Sequence, residues 1–376
     1  MLTPVKAAVI GCGVISDHYL SNLCNYFMIT EVVGCSDLIP SLSAAKAQKY
    51  GIRQMTNEEI FSDPEIEIVV NLTYPLSHYQ VSKAALLAGK HVYCEKMIAI
   101  ELCEGEELLA LAREKGLLFT VAPDTFLWGG LQTARFAVDA GLIGEPIMIS
   151  GLCQRSYQLN RSDDAVRMVH QAGGGIPFDM GGYYLHAFVN MLGCIKRATG
   201  FAKIRNPHRK YLHPHSPLYK DDYEEVCINT ITAVLEFNSG ILGNLLITSE
   251  SAGHGLEKIE LIGTEGALLI PDPNRQGEIF LKRSGNAEPC IFPYTHPFTE
   301  HQMRGLGVAD MAYAIRNGRK PRADAALGLH AFEVIHRVWE SESTGKTYDI
   351  LNRCDRPVAL PKTAITGACA ECILDW

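Results

Sequence analysis

Residues 5–16 read Val5-Lys6-Ala7-Ala8-Val9-Ile10-Gly11-Cys12-Gly13-Val14-Ile15-Ser16, and this stretch decides the fold. Its apolar first half predicts a buried β-strand, and a helical pattern over 14–28 follows it. Glycine at position 11 permits a tight turn, and glycine at position 13 lets the backbone approach a pyrophosphate on the helix N-terminus. Ser16 stands where this dinucleotide-binding pattern has its third glycine, so the motif alone is weak and an ordinary glycine-containing turn is the alternative.

Outward from this stretch, short apolar runs alternate with helical patterns up to about residue 122. The predicted strands are Lys6–Ile10, Glu31–Ser36, Ile66–Leu72, His91–Cys94 and Leu117–Val121. Helices are predicted between them over 14–28, 41–50, 77–89 and 101–115. Apolar strands that each lead into a helix are typical of a parallel sheet covered on both faces. Residues 1–123 are therefore predicted to form a doubly wound Rossmann domain.

The pattern changes after Pro123, and the length of 376 residues also favours two domains. A helix is predicted over 130–140, and strands separated by turn residues follow one another over 226–282. Helices over 299–317 and 325–343 come next, while 205–222 is predicted to be a long loop. Residues 124–376 are thus predicted to form an α/β domain around a large open, mainly antiparallel sheet.

Composition excludes several kinds of partner. The net charge of −8 argues against a nucleic-acid or membrane-surface protein, because both partners select a basic face. No apolar run reaches the length that spans a bilayer, and no signal peptide is recognisable, so a cytoplasmic protein is predicted. The 12 cysteines are mostly scattered in apolar segments. The closest pair, Cys369 and Cys372 with Cys354 upstream, lacks further ligands at a matched spacing, so reduced thiols and no metal are predicted.

Asp37 strengthens the assignment of the glycine turn to a dinucleotide site. It stands at the end of the second predicted strand. A carboxylate there accepts hydrogen bonds from the adenosine ribose and repels the additional phosphate of NADP. The sequence therefore predicts NAD as the cofactor, against the alternative of a solvated aspartate at a strand end.

Lys96 is the candidate catalytic group of the first domain. It follows the strand His91–Cys94, and ligands of open α/β sheets bind outside the carboxyl ends of the strands. A lysine close to a nicotinamide charge has a lowered pKa, which suits it to help remove a hydroxyl proton as a hydride leaves carbon. A surface lysine at a strand end is the alternative.

A second candidate group follows the triple glycine Gly173-Gly174-Gly175. If a helix begins near Asp179, steps of four, three and four residues put Asp179, Tyr183, His186 and Asn190 on one narrow face. Another face is apolar and consists of Leu185, Phe188, Val189 and Leu192. A solvated polar face is the alternative, but such faces usually carry Lys and Glu, so a functional face is favoured.

These segments together resemble the glucose–fructose oxidoreductase, inositol dehydrogenase and MocA family over nearly the whole chain. The likeness is carried by Gly11-Cys12-Gly13-Val14-Ile15-Ser16-Asp17-His18, Asn71-Leu72-Thr73-Tyr74-Pro75-Leu76-Ser77-His78, Ala88-Gly89-Lys90-His91-Val92-Tyr93-Cys94-Glu95-Lys96, the triple-glycine segment and Ile259-Glu260-Leu261-Ile262-Gly263-Thr264-Glu265-Gly266. The resemblance implies hydride exchange at a secondary carbinol of a sugar or cyclitol, with Lys96 catalytic, and homo-oligomers assembled through the C-terminal sheet. The cofactor contacts that it implies are Gly11, Gly13, Val14, Ile15, Asp37, Thr73, Tyr74, His78, Glu95 and Lys96.

The chain departs from the family pattern at two places. Met97 follows the Glu-Lys pair where the family usually has proline. Tyr183 and His186 stand where many members have His and Asp. We expect Tyr183 to exchange the proton with the substrate, Lys96 to lower its pKa, Asp179 to orient the hydroxyl, and His186 to position the neighbouring hydroxyl or relay the proton.

Further residues are predicted on the substrate side. They are Asp124, Phe126 and Trp128 after the last strand of the first domain, Tyr157, Arg167 and His170 ahead of the triple glycine, and Asn190. The sequence is also similar to family members that oxidise the glucose 3-hydroxyl of C- and O-glycosides. Three alternatives stay open: a glycosidase that uses NAD for transient oxidation and elimination, an NAD-sensing partner protein, and a metal enzyme built on His208, His213 and His215.

Overall fold

The computed structural model describes residues 2–156, 174–251, 257–285, 288–300, 302–362 and 374. The chain divides into two compact units. The first unit consists of Met1–Thr133, Tyr294–Leu329 and Pro357–Trp376, and the second of Ala134–Pro293 and His330–Arg356. The predicted boundary between residues 123 and 124 therefore differs from the observed division, because two later segments of the chain pack with the first unit.

The first unit is built around a parallel six-stranded sheet with the strand order β3-β2-β1-β4-β5-β6. Its elements up to residue 139 are β1 (Val5–Ile10), α1 (Ser16–Asn25), β2 (Thr30–Ser36), α2 (Pro40–Tyr50), β3 (Arg53–Gln54), α3 (Asn57–Ser62), β4 (Ile68–Asn71), α4 (Pro75–Leu87), β5 (His91–Cys94), α5 (Leu102–Glu114), β6 (Phe119–Val121), a 3-10 helix (Thr125–Leu127) and α6 (Gly129–Asp139). Residues of β4 are buried throughout, as in a sheet covered on both faces. The predicted doubly wound fold is confirmed.

Three short elements among the described residues of this unit were not predicted. They are the strand β3, the helix α3 and the 3-10 helix Thr125–Leu127. The helix α3 begins with a capping box, in which the Thr56 side chain accepts from the Glu59 backbone and the Glu59 side chain accepts from the Thr56 backbone. This Thr-x-x-Glu spacing is readable in a sequence, but a helix of six residues has too little apolar periodicity to support it.

The second unit is built around a nine-stranded sheet with the order β16-β15-β14-β13-β7-β12-β11-β8-β17. The remaining elements of the chain are β7 (Pro146–Gln154), α7 (Ile176–Leu192), β8 (Ile195–Lys203), β9 (His208–Lys210), β10 (Asp222–Glu224), β11 (Thr230–Phe237), β12 (Leu242–Thr248), β13 (Lys258–Gly263), β14 (Gly266–Pro271), β15 (Ile279–Arg283), β16 (Cys290–Phe292), α8 (Leu306–Asn317), α9 (Ala325–Thr344) and β17 (Tyr348–Asp349). Among these pairings only β7 with β12 is parallel, so the predicted open, mainly antiparallel sheet is confirmed.

The stretch predicted as a long loop over 205–222 carries part of a small antiparallel pair. The strands β9 and β10 form it, with Tyr223 opposite Arg209. These two three-residue strands were not predicted because the segment is rich in charged residues and proline. Within the described part of the chain, none of the helices has the length and hydropathy that a bilayer crossing requires.

The two faces of the nine-stranded sheet differ. One face is buried, and α7 packs on it: a Cβ at Gly151 of β7 would lie 2.8 Å from Phe188 and 2.9 Å from Tyr184. On the opposite face, Val234 of β11 is 51% exposed and stands opposite Thr199 of β8 and Asn244 of β12. The sheet is therefore covered by helices on one side and open within its own unit on the other.

Candidate active site

The glycine turn after β1 has the geometry of a phosphate cradle. Gly11 has a φ of +101°, and a Cβ there would lie 2.6 Å from the backbone of Leu72, so only glycine fits this turn. A Cβ at Gly13 would meet no atom within 4 Å, so space is open next to the backbone at that position. The buried Ser16 hydroxyl donates to the Gly13 carbonyl at 2.6 Å, which shows how a small residue other than glycine serves as the third position.

Asp37 lies beside this turn, as the sequence predicts. Its Oδ2 accepts the Cys12 backbone N–H at 2.7 Å, and its Oδ1 accepts the Ile39 N–H at 2.8 Å. The half-buried carboxylate thus fixes the glycine turn to the end of β2. Each carboxylate oxygen has a second lone-pair direction, so ribose hydroxyls still find an acceptor there.

Apolar side chains are exposed at the same carboxyl edge of the sheet. Val14 is 87% exposed and Tyr74 54%, whereas Ile15 is half-buried. Leu38 and Ile39, which sequence reasoning did not select, are 91% and 56% exposed directly after Asp37. Two apolar residues immediately after a strand-end aspartate are the signal that would have found them. An aromatic base bound on these surfaces would remove them from water, so this edge fits a dinucleotide.

His78 connects the loop after β4 with the loop after β5. It is fully buried in α4, and its ring nitrogens lie 2.9 Å from the Thr73 carbonyl and 2.5 Å from the Met97 carbonyl. Burial lowers the pKa of the His78 ring. The half-buried Thr73 hydroxyl in turn donates to Asn71 at 2.6 Å. Both His78 nitrogens have backbone partners, which fits a positioning role; the direct cofactor contact expected of His78 stays a prediction.

Glu95 supports Lys96 from inside the unit. Glu95 is 8% exposed; its Oε1 accepts the Tyr19 hydroxyl at 2.6 Å and its Oε2 accepts the Lys96 backbone N–H at 3.0 Å. The Tyr19 and Tyr93 hydroxyls lie 3.1 Å apart, and burial raises the pKa of both phenols. Lys96 itself is half-buried just past the carboxyl end of β5, and its peptide bond to Met97 is cis. Glu95 thus holds the Lys96 backbone, and the cofactor contact expected of Glu95 stays a prediction.

The three residues predicted on the substrate side after β6 are buried in the first unit. Asp124 is 1% exposed, and its Oδ2 accepts the backbone N–H groups of Gly305 and Gly307 at 3.0 and 2.9 Å. Burial raises the pKa of this carboxyl to about 6. Phe126 and Trp128 are 0% and 1% exposed. These side chains stabilise the unit, and the structure gives no support to their predicted contact with a substrate.

In the second unit, α7 carries the predicted polar face. The helix begins at Ile176, after Gly175 with a φ of +92°, and it contains Asp179 in its first turn. Tyr183 and His186 are 4% and 1% exposed, whereas Asp179 is half-buried. The alternative of a solvated polar face is therefore wrong. A Cβ at Gly175 would collide with the Ile228 carbonyl, so this glycine serves close chain packing.

Asn190, on the same face, belongs to a structural network. Its Oδ1 accepts from Arg135 at 3.0 Å, and its carbonyl accepts from Arg356 at 3.0 Å. Both arginines also bind Asp139. Asn190 is fully buried among these groups, so the substrate contact predicted for it is corrected to a structural role.

Other predicted residues take no part in the site as described. Tyr157, Arg167, His170, Cys369 and Cys372 lie outside the described residues. The rings of His213 and His215 are 5.8 Å apart, and His208 is exposed on β9. These three described histidines do not bring their ligand atoms together as a metal site requires.

Comparison with known proteins follows the same division of the chain. Residues 5–122 match the model of an oxidoreductase family with an NAD-binding Rossmann fold, and residues 131–269 match the GFO/IDH/MocA C-terminal domain. An uncharacterized oxidoreductase of Schizosaccharomyces pombe is 28% identical over 276 residues, 71% of this chain and 70% of the relative. A scyllo-inositol 2-dehydrogenase (NAD(+)) of Bacillus subtilis is 25% identical over 337 residues, 86% of this chain and 91% of the relative.

Solved structures share the fold. A levoglucosan dehydrogenase in complex with NADH superposes with a TM-score of 0.80 at 19% identity, covering 93% of this chain and 100% of that protein. At this identity the likeness establishes the architecture of the chain.

Proposed function

The chain belongs to the glucose–fructose oxidoreductase, inositol dehydrogenase and MocA family of NAD-binding oxidoreductases, and we propose that it oxidises a secondary hydroxyl of a sugar or polyol to a ketone. One observation carries the proposal: a half-buried lysine, Lys96, follows the carboxyl end of β5 in the sheet whose first loop forms the glycine cradle. Ligands of open parallel sheets bind at this edge.

Different residues around the glycine turn are proposed to bind different parts of the dinucleotide. The open backbone beside Gly13 would receive the pyrophosphate of the cofactor, and Asp37 would accept from its ribose. The negative charge of Asp37 disfavours the additional phosphate of NADP. NAD, when bound, accepts a hydride from the carbinol carbon.

We assign proton transfer to titratable side chains of both units: Lys96 in the first, and Asp179, Tyr183 and His186 in the second. Lys96 is held through its backbone by Glu95 and is proposed to assist removal of the hydroxyl proton. In the second unit, Tyr183 is proposed as the group that exchanges a proton with the substrate, with Asp179 orienting a hydroxyl and His186 positioning a neighbouring one. Tyr183 and His186 are nearly inaccessible on α7, so packing holds their side chains in place.

The substrate class rests on the relatives. Those named above include an inositol dehydrogenase and a levoglucosan dehydrogenase, whose names specify a cyclitol and an anhydrosugar. Both compounds present ring hydroxyls on secondary carbons. A finer proposal is oxidation at the glucose C3 hydroxyl of a glycoside, which the sequence resemblance favours. A ketone at C3 acidifies the C2 hydrogen and so prepares the glycoside for elimination.

The test is a substrate panel with product identification. Purified protein is incubated with NAD and inositols, anhydrosugars, aldoses, and aryl C- and O-glycosides, and NADH formation is followed by absorbance. A keto product formed in step with NADH supports the proposal, and its regiochemistry tests the C3 assignment. Release of aglycone and sugar without net NADH would identify the NAD-dependent glycosidase. NAD binding without turnover of any compound in the panel would contradict the proposal.

A further inference from the structure

Three side chains meet in the second unit at the C-terminal end of α7. Cys194 directly follows the helix cap Gly193, and its sulfur lies 3.8 Å from Nδ1 and 3.9 Å from Nε2 of His330. Cys354 completes the cluster, in which one ligand atom of each residue lies within 4.8 Å of the others. His330 is fully buried, Cys194 is 8% exposed and Cys354 is half-buried.

The geometry of His330 argues against a metal ion. Its Nε2 accepts the Ile195 backbone N–H at 3.1 Å, and its Nδ1 donates to the Asn352 carbonyl at 2.8 Å. A histidine ligand needs the lone pair of a ring nitrogen, and here that lone pair already accepts a hydrogen bond. The Cys194 sulfur is also nearly equidistant from the two nitrogens, so it does not lie along one lone-pair direction. The two sulfur atoms remain as the reactive pair.

We propose that Cys194 and Cys354 are a redox-active dithiol that forms a disulfide by exchange with a low-molecular-weight disulfide such as oxidised glutathione. The Cys354 thiolate attacks one sulfur of the reagent, forming a mixed disulfide and releasing one thiolate. The Cys194 thiolate then attacks the Cys354 sulfur, which forms the protein disulfide and releases the second thiolate. The two cysteines lose two electrons and two protons, and the reagent becomes two thiols.

Burial assigns the order of attack. Cys354 is half-buried, so a small disulfide reaches its sulfur first, whereas Cys194 is almost inaccessible and acts as the resolving thiol. In the reduced pair, the hydrogen bond with Cys354 lowers the pKa of the Cys194 thiol.

The backbone next to Cys354 is held in place ahead of the reaction. The buried carboxylate of Glu333 accepts the backbone N–H groups of Leu351 and Asn352 at 3.0 and 2.7 Å. Cys194 lies between the end of α7 at Leu192 and the start of β8 at Ile195. Side-chain rotation then has to bring the sulfurs from at most 4.8 Å to the bonded distance of about 2.0 Å. The disulfide would tie the segment after β17 to the end of α7.

The experiment uses the whole purified chain. The protein is incubated with oxidised glutathione under native conditions, remaining thiols are blocked with N-ethylmaleimide, and a tryptic digest is examined by mass spectrometry. Trypsin separates the two cysteines into the peptides 168–196 and 354–362, each with a single cysteine. We expect these peptides to be linked, and reduction to separate them. The direct observation on the unchanged chain does not depend on the folding of a variant.

Variants test the order of attack. In Cys194→Ser, glutathione should accumulate on Cys354 as a mixed disulfide; in Cys354→Ser, Cys194 should stay unmodified. Cys290→Ser removes an exposed cysteine of the same unit and should leave the linked peptides unchanged. The proposal is overturned if the wild-type peptides stay unlinked while exposed cysteines are glutathionylated. It is also overturned if the purified chain holds one zinc ion that protects both thiols from the reagent.

Discussion

Asp37 combines two roles in one carboxylate. It accepts the Cys12 N–H of the glycine turn, and we propose that it also accepts from the cofactor ribose. We predict that Asp37→Ala weakens NAD binding by about 10- to 100-fold, since hydrogen bonds to a charged group contribute about 1.5–3 kcal/mol. The ratio of the NADP and NAD dissociation constants should also decrease, because the Asp37 charge no longer repels the additional phosphate of NADP. Both dissociation constants are measured by calorimetric titration.

Asp37→Asn is the matched control. Its amide oxygen can still accept the Cys12 N–H of the turn, whereas the bond to the Ile39 N–H and the charge that repels a phosphate are lost. NAD affinity should therefore fall less than in Asp37→Ala, with a similar loss of discrimination. Unchanged affinities for both cofactors in the alanine variant would exclude Asp37 from the site.

Lys96 supplies the second residue-scale prediction. Lys96→Met should leave NAD binding near normal and lower kcat by ~100-fold or more, as expected for a group that acts in proton transfer. The exposed Lys115 at the end of α5 provides a control, because Lys115→Met removes a lysine of the same unit far along the chain from β5. Steady-state kinetics on the best substrate of the panel decide the matter. Turnover close to wild type would show that Lys96 is not the catalytic lysine.

Asp124 gives the first unit a pH-dependent stability. Its pKa is about 6 when folded and about 4 in an unfolded chain, so between these values the folded state holds the proton more firmly. Stability from this group is therefore present below about pH 4 and lost as the pH rises to about 6, by on the order of 2–3 kcal/mol. Arg304 opposes the shift and Glu95 adds to it.

We predict that Asp124→Asn abolishes this contribution. The urea midpoint of the variant, minus that of the wild type, should therefore increase from pH 4 to pH 7. Because both proteins are compared at the same pH, the contributions of the other carboxyl groups to stability cancel. A constant difference would mean that Asp124 does not titrate in this range.

At the scale of an element, α7 shows both the strength and the limit of helical periodicity. The spacing alone placed four polar residues on one face of a helix, and the helix contains all four. Periodicity does not reveal what packs against that face. Asn190 is bound by Arg135 and Arg356, which are 55 and 166 residues away in the chain. Contacts over such separations have no local signal, so the structural role of Asn190 was not predictable.

The proton acceptor on α7 is a prediction that kinetics can test. Tyr183→Phe should lose far more turnover than His186→Asn, with little change in NAD affinity for either. Tyr184→Phe is the control: the neighbouring hydroxyl donates to the Leu152 carbonyl at 2.8 Å, so its loss should lower stability and spare kcat. If His186→Asn is inactive and Tyr183→Phe turns over well, the two roles are reversed.

For the whole molecule, the sequence predicted the two sheets but misplaced the boundary between units. Strands and helices have local periodicities, which explains why the order of elements was readable up to residue 122. The segment that contains α8 packs with the first unit, where the backbone N–H groups of Gly305 and Gly307 donate to Asp124. These glycines lie about 180 residues after Asp124 in the chain. A strand-end aspartate with no visible partner was consequently assigned to a substrate.

The open face of the nine-stranded sheet leads to a prediction on assembly. We propose that homo-oligomers form through this face, where Val234 is 51% exposed between Thr199 and Asn244. Val234→Lys would bury an unpaired charge and should shift the protein to smaller species by light scattering after size exclusion. Leu87→Lys, at a 55% exposed residue of α4, should leave the assembly unchanged. Equal masses for both variants and wild type would place any interface elsewhere.

The division of the first unit into three chain segments has a consequence for folding during synthesis. Residues 294–329 belong to this unit, yet they leave the ribosome only after the 160 residues of Ala134–Pro293. At about 5–20 residues per second, this interval lasts on the order of ten seconds or more. During that time Asp124 has already emerged from the ribosome, but the Gly305 and Gly307 N–H groups that donate to it have not been synthesised. The first unit, although its N-terminal sheet is made first, is therefore completed only after α8 has been synthesised.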